Sequence, residues 1–432
     1  MSFRGKVWIL VISGVIAVYA VIGGLPLIGS LLTANAQQPA NDAGSQLKIV
    51  ESVLQHIQND YVDDPNMDKV RLGALRGLAG GLDPYSSFLT ADQVKAFEAN
   101  KTSTKVGIGC EFSQISGYLY IISAIKGSPA EKAGIKSGDF IEYIDNKATR
   151  DISLYDARQL INGDGGTTVS LRVLRAGEKP QTIKVARGSY KVPTAESRIE
   201  NGKIGVVKVY SLEDGESADV LAQVESLKKQ GIQKIVLDLR GVAAGSLAEG
   251  ANVANLFIKS GELAKVIGRE NKVVTTYSAD PAKHVFDGGL AVLIDVGTAG
   301  AAEAVASAVI ERKRGEVIGE KSFGSGTEQK LFPLRGGDGM LLTVAKWAAP
   351  SGAPFLGDDR ATTGVKPTIE VKRPDTPEPL DPETLNDQPD GQAPTATPTP
   401  KPVQPKVVED IQLKKAIEVL SGNAMTKAAG AE

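Results

Sequence analysis

Apolar strands and helices alternate along the chain between about residues 195 and 371. The strand segments are short and rich in Ile, Val and Leu, and the segments between them repeat apolar residues at helical spacing. In chain order, the predicted elements are a strand at 204–209, a helix at 215–230, a strand at 234–240, a helix at 246–256, a strand at 290–296 and a helix at 301–313. Such alternation is typical of a sheet covered by helices. The sequence therefore predicts an α/β layered core over residues 195–372.

The preceding segment, residues 104–188, alternates strands and turns instead. Val106-Gly107-Ile108-Gly109 comes before a strand at 118–122, and Ser128-Pro129 opens a short helix. A strand at 138–145, a helix at 154–161 and a strand at 168–174 complete the order. This succession resembles a PDZ domain of the bacterial, periplasmic kind. A mostly β PDZ domain over residues 104–188 is therefore predicted.

A PDZ domain binds a peptide as an added strand, and two parts of this segment suit that role. The glycines of the loop Val106, Gly107, Ile108 and Gly109 let backbone amides approach a peptide's terminal carboxylate. The helix offers a pocket for an apolar last residue, and its predicted lining is Leu154, Ala157 and Leu160 or Ile161. The alternative is that the glycines only make turns.

The N-terminal region predicts export. Arg4 and Lys6 precede an uncharged run at 7–32, and Ala34-Asn35-Ala36 follows it. The pattern fits a secretory signal over residues 1–36, and the run is also long enough to span a bilayer as an uncleaved anchor. In both cases we expect the rest of the chain to be extracytoplasmic, in the periplasm or at the cell surface. A helical segment at 45–100 follows, in which residues 82–89 form a turn.

The C-terminal region contains a proline-rich linker and a helix. Ten of the 22 prolines lie between Pro374 and Pro405, which predicts a linker at 373–406 with too few apolar residues to fold alone. Residues 407–422 recover helical spacing, and Gly422 suits a helix C-terminus. A short helix on a tether is marginal by itself, so we expect it to dock on its own core or on a second chain.

Composition excludes several classes of function. With 49 basic and 51 acidic side chains, the net charge of -2 argues against nucleic-acid binding. One Cys and two His exclude an internal disulfide and make a Cys/His zinc site very improbable, so no metal or cofactor is predicted. We expect His56 to be a solvated helix residue, His284 to be structural or solvated, and Cys110 to lie in the core of the PDZ sheet.

Several motifs in one order carry a wider resemblance. They are Asp60-Tyr61-Val62, Leu82-Asp83-Pro84-Tyr85-Ser86-Ser87, the PDZ segment, Asp238-Leu239-Arg240, Gly297-Thr298-Ala299, Gly319-Glu320-Lys321-Ser322-Phe323-Gly324 and the terminal helix. The series resembles the C-terminal processing, or tail-specific, peptidases. The resemblance implies a crotonase-like α/β core with an inserted PDZ domain, in serine-type enzymes that cleave exported proteins near their C-termini. It also implies a Ser nucleophile, a Lys base and a Gln that orients the Lys.

The residues of this chain depart from that catalytic pattern. By the resemblance, Gly300 stands at the nucleophile position and Ser325 at the base position, whereas the orienting Gln is retained as Gln329. The oxyanion loop, usually Asn-Pro-Gly-Gly by the resemblance, is also altered, since it reads Gly241-Val242-Ala243-Ala244-Gly245 here. A glycine has no hydroxyl to attack a carbonyl, and a serine hydroxyl cannot replace a desolvated amine as base. The sequence therefore predicts a non-catalytic homologue.

Two functions from different classes remain open. The first is a peptide-binding pseudopeptidase that captures C-terminal tails as an adaptor, a regulator or a partner of an active peptidase. The terminal helix could also mediate self-association. The second is a serine-type peptidase with a relocated nucleophile, for which Ser246 and Ser307 are the candidate hydroxyls and Lys321 and Lys330 flank the vacated base position. Each of these four residues is expected to be a capping serine or a surface lysine instead.

Overall fold

The computed structural model describes residues 43–99, 106–373 and 409–422. The predicted signal or anchor and nearly all of the predicted linker lie outside these residues. Within them, no helix is both long enough and apolar enough to cross a membrane. The chain divides into two compact units at Ala74 and Leu75.

The first unit contains helix α1 (Ala43–Asp60) and the beginning of helix α2 (Met67–Gly80). Apolar residues repeat along α1 as the sequence predicts, but Leu47 and Val53 are 66% and 52% exposed. His56 is solvated, as expected, and its Nδ1 lies 2.7 Å from Asp60 Oδ2. The second unit begins within α2 and continues through strand β1 (Ser87–Leu89) and helix α3 (Ala91–Ala99).

The PDZ segment forms one antiparallel sheet with a short and a longer helix. Its elements are β2 (Cys110–Ile115), β3 (Tyr118–Ala124), α4 (Pro129–Lys132), β4 (Phe140–Ile144), β5 (Lys147–Ala148), α5 (Leu154–Ile161), β6 (Thr168–Leu174) and β7 (Gln181–Ala186). The strand order is β2-β3-β4-β6-β7, with β5 paired to β4. Strand β2 is therefore an edge strand, and Cys110 is buried in the core, as predicted.

The α/β core has two sheets. The first, in the order β17-β14-β13-β10-β9-β8, is parallel except for the β8–β9 pair. The second has the order β1-β16-β11-β12, with β15 paired to β16. The elements are β8 (Glu196–Glu200), β9 (Ile204–Lys208), α6 (Glu216–Lys229), β10 (Lys234–Asp238), α7 (Leu247–Phe257), β11 (Glu262–Ile267), β12 (Val273–Ser278), β13 (Gly289–Ile294), α8 (Ala301–Glu311), β14 (Glu316–Gly319), β15 (Thr327–Pro333), β16 (Gly339–Ala348) and β17 (Ile369–Glu370).

The main hydrophobic core joins the two sheets through the helices between them. Leu237 of β10, Val305 of α8 and Val266 of β11 belong to the same buried cluster. Both α7 and α8 are apolar on nearly every face, which is typical of helices buried between layers. The predicted α/β layered core with an inserted PDZ domain is confirmed.

The C-terminal helix α9 (Ile411–Ser421) covers the outer face of the parallel sheet. Leu413 and Ala416 pack against apolar strand residues that include Val236 and Leu293. Asp410 caps the helix by accepting a hydrogen bond from the Leu413 amide, and Gly422 ends it with a φ of 83°. Of the two expected docking partners, the structure shows the chain's own core.

An ion-pair cluster ties α9 to the end of β10. The Arg240 guanidinium contacts Asp238 and Asp410, each at 2.8 Å, and Lys208 Nζ lies 3.3 Å from Asp238. Burial would raise the pKa of Asp238, but Lys208 and Arg240 outweigh it and hold that pKa at about 2. The stabilisation from this carboxylate is therefore complete above its ordinary pKa and is lost as the pH falls towards 2.

Candidate functional site

Gly300 occupies the turn between β13 and α8, at the carboxyl end of a parallel strand. It is the N-cap residue of α8 and has a φ of 57° and a ψ of -111°, a positive-φ conformation that favours glycine. A Cβ at this position would lie 3.3 Å from the Trp347 ring. The turn therefore has the strand-to-helix geometry expected at the nucleophile position, but it carries no side chain.

Glu303, in the first turn of α8, joins this turn to the segment that contains Ser325. Its Oε2 accepts hydrogen bonds from the amides of Gly300 at 2.7 Å and Ser325 at 2.9 Å. Its Oε1 accepts the Gly324 amide at 2.7 Å and the Ser322 hydroxyl. Because Gly300 and Ser325 bind the same carboxylate oxygen, the structure brings together the two positions that the sequence assigns to nucleophile and base.

Burial raises the pKa of Glu303 to about 7, although its four hydrogen bonds oppose the shift. The side chain is 0% exposed. No role in the site is predicted for Glu303 from the sequence, where it is an acidic residue in the first turn of a predicted helix. The structure shows that it organises the candidate site.

No hydrogen bond joins Ser325 and Gln329. The Ser325 hydroxyl lies 3.4 Å from the Tyr85 hydroxyl, and no other described residue is hydrogen-bonded to it. The Gln329 amide donates to Thr327 Oγ1 at 2.6 Å and to Thr343 Oγ1 at 3.4 Å. Among the described residues, no lysine amine is hydrogen-bonded to Gln329.

Tyr85 lies between the core and the PDZ domain. Its ring packs against the PDZ core, and its hydroxyl lies 3.4 Å from the Ser325 hydroxyl. Burial raises the pKa of Tyr85, and the nearby Ser113 of β2 and Ser325 oppose this shift. The Asp83 carboxylate holds the turn by accepting the amides of Tyr85 and Ser86, both at 2.8 Å. The sequence predicts only a turn here, because the partner Ser325 is 240 residues away in the chain.

The loop that resembles an oxyanion loop, 241–245, is fixed by backbone contacts. The Gly241 amide donates to Asp295 Oδ1 at 2.9 Å, and the Val242 carbonyl accepts the Ala299 amide at 2.9 Å. Gly245 has a φ of 141°, and a Cβ there would lie 2.2 Å from the Leu212 carbonyl oxygen. Ala244 is 7% exposed. The loop is thus held beside Gly300, with Ala244 and Gly245 in a tight backbone path.

The candidate replacement nucleophiles have structural roles. The Ser246 side chain caps α7 by accepting the Glu249 amide, and the Ser307 hydroxyl is buried and donates to the Ala304 carbonyl at 3.2 Å. No described lysine or histidine is hydrogen-bonded to either hydroxyl.

The side chains of the candidate bases also contact other groups. Lys321 Nζ donates to the carbonyls of Arg360 and Ala361, both at 2.8 Å, and Lys330 Nζ lies over the Phe332 ring at 5.5 Å. His284 contacts Asp287 at 2.8 Å. The described residues contain no cluster of His, Cys, Asp or Glu that could hold a metal ion.

The loop before β2 presents unused backbone donors. Val106 forms a bridge with Gly163, and the carbonyls of Gly107, Ile108 and Gly109 accept hydrogen bonds from the amides of Gly188, Ala130 and Ile125. No described residue accepts a hydrogen bond from the amides of Gly107, Ile108 or Gly109, although Ile108 and Gly109 are buried. Buried unpaired amides are rare in folded proteins.

Glycine is required at position 109 of this loop. Its φ is 76°, and an added Cβ would lie 2.3 Å from Ser128 Cβ and 2.7 Å from the Tyr190 ring. On the neighbouring helix α5, Leu154 and Ala157 are buried in the core of the domain, whereas Leu160 is partly buried. The predicted peptide pocket therefore shares its lining with the PDZ core, and its ligand remains a prediction.

The comparisons with known proteins agree with this architecture. The family model for peptidase family S41 matches residues 203–371, and a PDZ domain model matches residues 120–175. The carboxy-terminal processing protease CtpA of Bacillus subtilis (strain 168) is 32% identical over 340 residues, which cover 78% of this chain and 72% of that protein. The chain belongs to the C-terminal processing peptidase family.

Other members of the family cover a similar share of the chain. A probable CtpA-like serine protease of Staphylococcus haemolyticus (strain JCSC1435) is 30% identical over 377 residues, 87% of this chain and 74% of that protein. Among solved structures, a photosystem II D1 C-terminal processing protease superposes with a TM-score of 0.62 at 25% identity, covering 74% of this chain and 86% of that one. The predicted family is thus confirmed.

The pKa of Glu303 predicts a pH dependence of stability for this family member. Between an ordinary pKa of 4.5 and the folded value of about 7, the folded chain holds this proton more tightly than the unfolded chain. The Glu303 contribution to the free energy of unfolding should therefore fall as the pH rises through this window, by roughly 3 kcal/mol. Urea unfolding at pH values from 4.5 to 7.5 measures the free energy of unfolding of the unmodified chain and of Glu303→Gln, which cannot titrate at this position. Parallel pH profiles for the two proteins would refute the assignment.

Proposed function

We propose that this chain is an exported, non-catalytic member of the C-terminal processing peptidase family that binds protein C-terminal tails. Its PDZ domain captures the tail, and the chain acts as an adaptor or regulator, with an active peptidase as one possible class of partner. The uncharged run at 7–32 supports an extracytoplasmic location, either after cleavage or with that run as a membrane anchor.

The observation that carries this proposal is the set of unused amides at Gly107, Ile108 and Gly109. Three successive backbone donors with no described acceptor match the oxygen atoms of a terminal carboxylate. Strand β2 directly follows the loop, and no strand of the described residues pairs with its outer edge. A peptide with its carboxylate at the loop can therefore continue as an additional antiparallel strand.

The path from this edge towards the core supports the same role. Tyr85 lies near Ser113 of β2, and its hydroxyl is 3.4 Å from that of Ser325. Because Ser325 shares the Glu303 carboxylate with Gly300, we expect a tail extending along β2 to approach Gly300. At that point a peptidase needs a nucleophile and a base, and this chain has a glycine and a serine. The relatives are named as proteases, so the alternative is a serine-type peptidase that uses a relocated nucleophile. The peptide-binding experiment described next also tests this alternative.

Carboxylate recognition predicts a large difference between two forms of one peptide. A peptide that ends in a free apolar residue should bind, and its C-terminally amidated form should bind at least tenfold more weakly, because the loop amides lose a charged acceptor. Fluorescence anisotropy of labelled peptides measures both affinities. Mass spectrometry should recover the bound peptide intact after prolonged incubation, whereas cleavage would support the relocated-nucleophile alternative.

A pair of glycine variants locates the binding site. Gly109→Ala should abolish the affinity for the free peptide, because a Cβ there collides with Ser128 and Tyr190. Gly177, in the β6–β7 turn, has a φ of 74°, so Gly177→Ala introduces the same kind of backbone strain. No atom lies within 4 Å of the position that the new Cβ would take. Gly177→Ala should therefore bind normally. Equal affinity of the free and amidated peptides would reject carboxylate recognition.

A further inference from the structure

A cavity of about 490 Å³, whose lining does not include Gly300, lies between the core and the PDZ domain. One wall is formed by the C-terminal end of α2 and the segment 81–88, and the opposite wall by the PDZ residues 114–117 and 150–153. The volume exceeds that of a single inorganic ion or water and suits a small organic molecule. None of the catalytic positions of the family lies on its walls.

Two polar atoms of the cavity walls are buried without a hydrogen-bond partner among the described residues. They are the Ser87 hydroxyl oxygen, in a residue that is only 1% exposed, and Arg76 Nε. Both groups are hydrogen-bond donors. An unpaired buried polar group costs about 1–3 kcal/mol, so two on one cavity call for a ligand that supplies acceptors.

The other inward polar groups are already paired. The Asp83 carboxylate accepts hydrogen bonds from the Tyr85 and Ser86 amides and from the hydroxyls of Ser86 and Thr343. The Gln114 amide donates to the Ile152 carbonyl at 2.9 Å. The wall groups that still lack a hydrogen-bond partner among the described residues are therefore donors, and a ligand would have to supply acceptor atoms.

The charges at the cavity are mixed, but the groups that remain for a ligand are donors. Arg76 makes an ion pair with Asp156 at 3.5 Å, whereas the exposed guanidinium of Arg150, also on the wall, lies over the Tyr118 ring at 5.2 Å. Asp151 is the opposing carboxylate, and it is exposed. A ligand whose anionic oxygens point inward to Ser87 and Arg76 can keep its remaining atoms clear of Asp151.

We propose that this cavity is a binding site for a small organic oxyanion, with Ser87 and Arg76 as the recognition residues. Carboxylates and phosphates share the required acceptor chemistry, and Arg pairs well with either. Because the walls come from both the core and the PDZ domain, a bound molecule contacts both. The proposal does not depend on tail binding at the Gly107–Gly109 loop.

Calorimetric titration of the full chain tests the site, with succinate as the carboxylate probe and glycerol phosphate as the organic phosphate probe. We expect saturable one-site binding of at least one probe, and the comparison shows which oxyanion is preferred. Ser87→Ala should weaken that binding at least tenfold, and Arg76→Met should do the same. Ser278→Ala, an exposed serine on β12, is the matched control and should bind like the unmodified chain.

Folding of the key variant is checked by its thermal midpoint without ligand. Ser87→Ala removes a hydroxyl that has no partner, so its midpoint should equal or exceed that of the unmodified chain. Absence of saturable binding for both probes would overturn the proposal and leave a cavity that holds water only. Unchanged affinity in Ser87→Ala and Arg76→Met would overturn it equally.

Discussion

Restoring two side chains, in the double variant Gly300→Ser/Ser325→Lys, should give this chain serine-peptidase activity. The framework that presents these positions is intact, since Glu303 holds both backbones through one carboxylate oxygen. In a serine protease, loss of the nucleophile or base lowers kcat by about 10⁶-fold, so even a small recovered fraction is a large signal. Labelling by a fluorophosphonate probe and cleavage of an unfolded reporter with an apolar C-terminus are the measurements.

The double variant carries a predictable strain. Serine with the φ of 57° and ψ of -111° of Gly300 costs about 1–3 kcal/mol, because L residues rarely adopt this conformation. The Trp347 ring must also give by a few tenths of an ångström. Gly300→Ala/Ser325→Lys imposes the same strain without a hydroxyl, and it should remain unlabelled. The unmodified chain should also remain unlabelled. If the unmodified chain were labelled, and if replacement of Ser246, Ser307 or Ser325 removed that labelling, the non-catalytic proposal would be wrong.

Replacing Glu303 with Ala should cause the largest loss of stability of any single substitution considered for this site. The change leaves three backbone amides and the Ser322 hydroxyl without their acceptor in a buried position. At about 1–3 kcal/mol for each unsatisfied group, and with partial relief from water, we expect a loss of at least about 4 kcal/mol in the free energy of unfolding. Urea unfolding at one fixed pH measures it.

Two further variants serve as controls for this experiment, one at a surface glutamate and one a conservative change of Glu303. Glu225→Ala, exposed on α6, should change the free energy of unfolding by no more than about 0.5 kcal/mol. Glu303→Gln keeps one acceptor oxygen and should lie between the two, which keeps the test informative if Glu303→Ala does not fold. A Glu303→Ala protein within about 1 kcal/mol of the unmodified chain would show that the carboxylate is dispensable.

The sequence predicted the layers of the fold better than their contacts. Alternating helical and strand periodicity was enough to place β9, β10, β13 and their helices, because each pattern is local. Strand β1 was expected to be part of a turn, since its partner in the sheet is distant: Ser87 pairs with Leu341. A three-residue strand of this kind has no local signal of its own.

The candidate site was predicted in part, for the same physical reason. The family pattern placed Gly300 and Ser325, and the structure brings them together. Glu303 and Tyr85 were not recognised, because their roles depend on hydrogen bonds to residues that lie far along the chain. On α5, one helical stripe can serve both a core and a groove, so periodicity alone could not separate the buried Ala157 from the partly exposed Leu160.

In the sequence, 35 residues separate Arg373 from Glu409, which lies just before helix α9. The helix nevertheless packs on the parallel sheet of the core. Its docking is therefore a binding equilibrium made intramolecular by the connecting chain, with an effective concentration set by the length and stiffness of that chain. A single cut between Arg373 and Glu409 would convert the helix into a separate ligand of the sheet. The apolar face around Val236 and Leu293 would then be covered or open according to the concentration of the released fragment.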